Sequence, residues 1–169
     1  MTGLDVSNLM PPDALAAMRS YPRRFHQEVA SFDGDDSVDE LAGRIGPDGE
    51  SAIQVLSDVS RTWTVLAEAL RQILFTEGPV LHPAVLDPSQ RSWDTPPPDS
   101  LSDVLTVLDH AADSVTEVMS RVSGTADWNR SAAVAGGGEV TALDLVRTAT
   151  AVGREGLAGV HRSLEAARR

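Results

Sequence analysis

The chain has 169 residues, 41 % of them hydrophobic and 23 % charged, which is typical of one globular domain and excludes wholesale disorder. It contains no cysteine and no lysine, which excludes disulfides, cysteine-ligated metals, Schiff-base catalysis and a P-loop lysine. The net charge of −11 disfavours nucleic acid and acidic membrane surfaces as partners, because both bind to basic surfaces.

No membrane span or secretion signal is visible in the sequence. No segment approaches the roughly 18 consecutive apolar residues of a transmembrane helix. The first twelve residues lack both a basic region and an apolar region of the kind that a signal peptide needs. We therefore expect a cytoplasmic protein that does not contact a membrane.

The first predicted helix begins after Pro11-Pro12, since proline suits a first helical turn. Its apolar positions are Leu15, Met18, Phe25, Val29 and Phe32. Pro22 interrupts this pattern, so we expect a kink or a restart there, with Ser20 as the cap. A short helical turn is expected between Ser37 and Arg44.

The second long helix has the clearest pattern in the chain. Its apolar residues recur every three or four positions, at Ile53, Leu56, Val59, Trp63, Leu66, Leu70 and Ile73. It is expected to end near Phe75, before Gly78-Pro79. The segment that follows, up to Asp99, contains six prolines and is too long for a tight link between helices. It suits a crossover along the length of a helical bundle.

Two further helices are predicted after this connection. Ser100-x-x-Asp103 resembles a capping box and opens the third long helix, and Thr141-x-x-Asp144 opens the fourth in the same way. Residues 124–140 form a second long connection, in which the glycines at 136–138 indicate a flexible turn and allow one short hairpin. The pattern predicts an all-α fold, a four-helix bundle formed by a single domain over residues 1–169.

Four segments carry a family resemblance: ALAAMRSYPRRF at 14–25, GESAI at 49–53, DW at 127–128 and GEVTALDL at 138–145. In order and spacing they resemble the DinB-like superfamily, which includes mycothiol- and bacillithiol-dependent S-transferases and maleylpyruvate isomerase. The resemblance covers nearly the whole chain. It implies a four-helix bundle, often a homodimer, with a divalent metal that binds and activates a thiol co-substrate.

The resemblance also implies where a metal would bind. The family uses one histidine of the second long helix and an H-x-x-x-H pair on the fourth; here these positions fall on Asp58, Ala151 and Glu155. A register three residues later would place the pair on Arg154 and Ala158. The three-histidine site is absent in either register. Asp58 and Glu155 are weak candidates for a divalent ion such as Mg²⁺ or Mn²⁺, because two carboxylates hold such ions weakly.

The alternative for the two carboxylates is solvation, or pairing with Arg61, Arg147 or Arg154. We therefore expect no cofactor, with a divalent metal (Mg, Mn, Ni or Zn) as the alternative.

Other chemistry-bearing residues show no catalytic spacing. No two of the histidines, at 26, 82, 110 and 161, are four residues apart, and isolated histidines usually serve on the surface or as caps. The acidic run from Asp33 to Asp39 lacks the EF-hand pattern and is interpreted as a solvated loop. The tryptophans at 63, 93 and 128 are expected to fill the core or anchor loops, with a ligand cavity as the alternative.

Three functional hypotheses remain. The first is a degenerate family member, without a metal and without enzymatic activity, that acts in binding, assembly or regulation. The second is a metal-dependent thiol S-transferase with an altered site at Asp58 and Glu155. The third is a metal-free carrier of a small-molecule ligand, with an apolar cavity between the helices and residues 79–99 as its lid.

Overall fold

The computed structural model describes residues 6–34, 37–91, 96 and 98–169, and the following elements belong to these residues. The α-helices are α1 (Pro11–Ala30), α2 (Val38–Gly43), α3 (Ala52–Phe75), α4 (Leu101–Ser120) and α5 (Ala142–Ala167). Three short strands, β1 (Val80–Leu81), β2 (Ser131–Val134) and β3 (Glu139–Thr141), form one sheet. The prediction of a largely helical chain is confirmed. No helix in this part of the chain combines the length and apolarity that crossing a membrane requires.

Helices α3, α4 and α5 begin at side chains that cap their first turns. Ser51 and Gln54 form a reciprocal capping box at α3, in which the Gln54 backbone N–H donates to the Ser51 hydroxyl at 3.2 Å. Thr141 and Asp144 form the same arrangement at α5. At α4 the Ser100 hydroxyl accepts from the Asp103 backbone N–H at 3.1 Å. Such caps satisfy backbone donors that have no helical partner, which sets the boundary of each helix.

Helix α1 differs from its prediction in two respects. It does not restart at Pro22 but continues from Pro11 to Ala30, and the Ser20 hydroxyl donates back to the Ala17 carbonyl at 2.7 Å instead of capping a new helix. Buried Tyr21 and Phe25 hold the helix on both sides of the proline. The helix also ends before Phe32, which lies in the following turn and is still buried.

The four long helices pack around one core in a closed ring. Helix α3 packs against α4 and α5, and α1 packs against the same two helices from the opposite side. Helices α1 and α3 therefore face each other across the centre, where the ring centroids of Tyr21 and Trp63 lie 5.8 Å apart. This aromatic contact joins the two diagonal helices through the core.

Contacts along the helices establish their directions. Tyr21 and Glu28 of α1 hydrogen-bond to Thr150 and His161 of α5, respectively, so α1 and α5 run the same way. Arg19 and His26 of α1 contact Ser120 and Asp109 of α4, so α4 runs the opposite way. Trp63 of α3 hydrogen-bonds to Ala149 of α5, and Val55 of α3 packs next to Gly159 of α5, so α3 is antiparallel to α5. Helices α3 and α4 are therefore parallel neighbours, and residues 76–100 must lead the chain back to the opposite end.

The sheet joins the two long connections at one end of the helices. Strands β2 and β3 form the hairpin that the glycine run allowed, with positive φ at Gly136, Gly137 and Gly138. Strand β1 pairs in parallel with β2, and this pairing is absent from the sequence prediction. Arg130 adds a further link, because its guanidinium donates to the Leu74 carbonyl at the end of α3 at 2.7 Å.

Glycines on α5 allow the neighbouring helices to approach closely. Gly153, Gly156 and Gly159 are buried and recur every three residues, so they share one side of α5. A Cβ at Gly153 would lie 2.5 Å from Cε2 of Tyr21, and a Cβ at Gly159 would lie 3.1 Å from Cγ1 of Val55. Tyr21 and Val55 thus pack directly onto the α5 backbone.

Candidate functional site

A cleft of about 240 Å³ lies between α3 and α5, next to the loop that precedes α3. Its apolar part is formed by Val55 and Val59 of α3 and by Gly156 and Gly159 of α5. The absence of a side chain at the two glycines leaves the space between the helices. We call this region the α3–α5 cleft.

The two carboxylates that the sequence singles out both lie on the α3–α5 cleft. Asp58 comes from α3 and Glu155 from α5, and their side chains are 62 % and 74 % exposed, respectively. Asp58 is 3.8 Å from the Arg61 guanidinium and Glu155 is 3.9 Å from that of Arg154. The third family position, Ala151, is half-buried and does not line this cleft.

The electrostatic environment of Asp58 includes Arg91, which lines the neighbouring cleft and not this one. Desolvation raises the pKa of the Asp58 carboxyl above its ordinary value, while Arg61 and Arg91 act in the opposite direction. Burial also lowers the pKa of the Arg91 guanidinium, against the effect of Asp58 and Asp87. Asp58 and Arg91 therefore each favour the charged form of the other.

Arg91 fastens the proline-rich connection to α3. Its Nε donates to the Ala84 carbonyl and its Nη1 to the Thr62 hydroxyl, both at 2.8 Å. Residues 81–91 thereby cover α3 and enclose a second cleft of about 360 Å³, whose lining includes Glu68 and Arg91. No sequence motif includes Arg91. Its one signal is that it is the only arginine between Arg71 and Arg121, within a proline-dense segment.

The donor set of the α3–α5 cleft does not fit the metal that the resemblance implies. None of the three family positions is histidine, and no group of three or more metal-binding side chains comes together within the described ranges 6–34, 37–91 and 98–169. In the alternative register the pair would be Arg154, a cation, and Ala158, which is exposed and has no donor atom. A three-ligand site with an open position cannot form from either set.

Three of the four histidines join or cap structural elements. His26 contacts Asp109 at 3.0 Å and so connects α1 to α4, and His161 contacts Glu28 at 2.8 Å and connects α5 to α1. His82 accepts from the Ala84 backbone N–H at 3.1 Å and caps a short 3-10 helix. His110 is exposed, and its neighbour Asp109 faces α1. Asp109 therefore pairs with His26 and not with its sequence neighbour His110.

Two of the tryptophans are described by the structure. Trp63 is fully buried in the core, and its indole N–H donates to the Ala149 carbonyl at 2.9 Å. Trp128 is partly buried against the core. Trp93 and two aspartates of the acidic run, Asp35 and Asp36, lie outside the described residues.

Comparison with known proteins gives no match for this chain among family models, curated proteins or solved structures.

Proposed function

We propose that this protein is a DinB-like four-helix bundle with a degenerate metal site, and that it acts without catalysis, in binding, assembly or regulation. The order and directions of the four long helices support a bundle with a crossover after its second long helix. The observation that carries the proposal is the state of Asp58 and Glu155. Both lie on the α3–α5 cleft, but each contacts an arginine, and the third family position is an alanine.

A divalent ion at this cleft would bind weakly for two reasons. It would compete with Arg61 and Arg154 for the carboxylates. It would also need the ionised form of Asp58, which desolvation disfavours. With two protein ligands, the remaining coordination positions would be taken by water or substrate. The cleft is therefore better suited to a metal-free role.

One observation favours the alternative, a divalent-metal-dependent thiol S-transferase with an altered site. Asp48 and Glu50 line the same cleft as Asp58 and Glu155, so four acidic residues line it, although Asp48 also lies 3.7 Å from the Arg162 guanidinium. Oxygen ligands suit Mg²⁺ and Mn²⁺. In this alternative Asp58 and Glu155 would hold the ion, with water or substrate completing its coordination, and the ion would supply Lewis-acid activation of the thiol.

Elemental analysis of purified, tag-free protein distinguishes the two functions. We expect no stoichiometric metal, and no rise in melting temperature when Mg²⁺, Mn²⁺, Ni²⁺ or Zn²⁺ is added. One equivalent of tightly bound metal, lost together with its thermal stabilisation in Asp58→Asn and Glu155→Gln, would refute the degenerate-site proposal. Metal-dependent conjugation of a small electrophile to a low-molecular-weight thiol would establish the alternative.

A gain-of-function variant tests the resemblance itself. Asp58→His, Ala151→His and Glu155→His together would restore the family's ligand set in the preferred register. We expect this triple variant to bind Ni²⁺ or Zn²⁺ and to melt several degrees higher with the ion. The control has histidines at the exposed positions Arg23 of α1, Arg71 of α3 and Ser102 of α4, no two of which share a helix. Equal behaviour of the two variants would show that the register, and with it the DinB-like assignment, is wrong.

Assembly is tested separately. A homodimer through a long helix face is part of the proposal. Size-exclusion chromatography with light scattering measures the mass of the protein in solution and so detects a dimer directly. A monomer at all accessible concentrations would restrict the role to binding or regulation.

A further inference from the structure

A third cleft, of about 510 Å³, lies where the ends of several elements meet. It is formed by the start of α1, the end of α4, the 3-10 helix Thr125–Asn129 and the start of α5. It shares no lining residue with the α3–α5 cleft or with the cleft beneath residues 81–91. We call it the helix-end cleft.

The lining of the helix-end cleft differs chemically from the other two. Among the described residues ten line it and none of these is charged, whereas the α3–α5 cleft contains Asp58 and Glu155 and the cleft beneath 81–91 contains Glu68 and Arg91. In a chain with 23 % charged residues and a net charge of −11, an uncharged concave surface is unusual. A ligand that carries a net charge would lose its hydration there without gaining an opposite charge among the lining residues.

Several large apolar side chains are left partly in water around this cleft. Met10 is 57 % exposed, and Leu15, Val122, Trp128 and Leu143 are half-buried although they pack against the core. Leaving apolar surface in water costs about 25 cal/mol per Å². A ligand that covers these side chains would recover that free energy, and the indole and thioether groups can adapt to flat aromatic or branched aliphatic shapes.

The cleft also offers polar groups at one side. Thr125 and Asn129 line it, and within the described residues neither side chain hydrogen-bonds to protein. A few polar groups on an otherwise apolar pocket fix the orientation of a small molecule, and the volume falls within the ~300–1,000 Å³ of small-ligand pockets.

We infer that the helix-end cleft binds a small neutral molecule that has an aromatic or aliphatic body and one hydrogen-bonding group. This inference goes beyond the degenerate-site proposal and does not depend on it, because the two concern different clefts. A protein segment or a second copy of the chain is the competing occupant. The concave shape, enclosed by four chain segments, favours a small molecule, since protein interfaces are broad and have a polar rim.

The test uses the uncharged fluorescent probe N-phenyl-1-naphthylamine with the full chain. We expect saturable binding at one site, with energy transfer from tryptophan to the probe that is reduced in Trp128→Phe. Val122→Phe fills the cleft and should weaken binding at least tenfold. Val107→Phe is the matched control, because Val107 is 42 % exposed on α4 and does not line the cleft; this variant should bind as the parent protein does. Thermal melts of both variants establish that they are folded.

Three results would overturn the inference. The first is the absence of saturable probe binding to the folded parent protein. The second is equal probe affinity in Val122→Phe and Val107→Phe. The third is a dimer, measured by light scattering, that Val122→Phe dissociates and the probe does not, because a second copy would then occupy the cleft. Metal analysis of the α3–α5 cleft bears on none of these outcomes, so failure of one proposal leaves the other standing.

Discussion

Replacing Gly153 by alanine perturbs the closest approach of α1 to α5. A Cβ at this position would lie 2.5 Å from Cε2 of Tyr21 and 2.7 Å from its Cδ2 and Cζ, whereas carbon atoms in contact prefer about 3.5–4.0 Å. The ring cannot move away freely, since it is buried and its hydroxyl donates to the Thr150 carbonyl at 2.8 Å. The methyl group must therefore push α1 and α5 apart.

The expected magnitude follows from two opposing effects. Alanine gains about 1 kcal/mol of helix propensity over glycine. Overpacking a core costs about 1–3 kcal/mol, and a gap this short places Gly153→Ala at the upper end. The net loss is therefore about 2 kcal/mol, which for a domain of this size lowers the melting temperature by roughly 4–8 °C.

Thermal and urea denaturation measure this loss, and two further variants define its cause. Gly43→Ala is the control, because a Cβ at Gly43 meets nothing within 4 Å, and it should cost nothing. In a Tyr21→Leu background the ring is gone, so adding Gly153→Ala should cost much less than in the parent chain. Gly43→Ala should melt at or above the temperature of the parent protein. If Gly153→Ala does the same, Tyr21 does not pack against α5 as closely as the structure shows.

The remaining predictions concern the core and the α3–α5 cleft. Ser57→Ala should stabilise the protein by about 1 kcal/mol in urea denaturation, because within the described residues the buried Ser57 hydroxyl has no partner; Ser60→Ala, which removes a 2.7 Å bond to the Leu56 carbonyl, should give no such gain. Trp63→Phe should cost about 2 kcal/mol in the same assay, since it removes a buried hydrogen bond and part of a buried ring; an unchanged midpoint would contradict its place in the core. Desolvation raises the pKa of the Asp58 carboxyl in the folded protein above its ordinary value of 3.8. At neutral pH the ionised carboxylate therefore reduces the free energy of unfolding. This penalty disappears as the pH falls through the raised pKa towards 3.8, because the carboxyl becomes protonated. Asp58→Asn should therefore be more stable than the parent at neutral pH and lose that advantage in acid; melts across the acid range would contradict this if the difference grew as pH fell.

The helices could be predicted because local chemistry determines them. The apolar period of α3 and the proline-glycine segment after Phe75 indicate its extent, and the Thr141 and Asp144 spacing indicates the start of α5. Strand β1 could not be predicted in this way. It has two residues and thus no measurable period, and its partner β2 lies far along the chain. The continuity of α1 through Pro22 is similarly a tertiary effect, since packing outweighs a lost backbone hydrogen bond.

The candidate site could be predicted only in part. The positions of Asp58 and Glu155 follow from the resemblance, but whether their side chains meet depends on how α3 and α5 pack. Gly156 and Gly159 allow the two helices to pack this closely. Their spacing can be seen in the sequence, but the spacing of two glycines does not by itself predict a close helix contact. The burial of Arg91 depends on how residues 81–91 lie over α3, which no local pattern indicates.

The helix arrangement has a consequence for how the chain folds. Among the four long helices, α1 and α3 are diagonal, α3 and α4 are parallel neighbours, and α4 and α5 are diagonal. No two consecutive long helices therefore form an antiparallel hairpin that could fold early from nearby residues. Each neighbouring contact requires closure of a long loop, which raises the entropy cost before any burial is gained. Folding should be slower than that of an up-and-down bundle of equal size, and unfolding should be a single cooperative transition, with no stable half of the molecule.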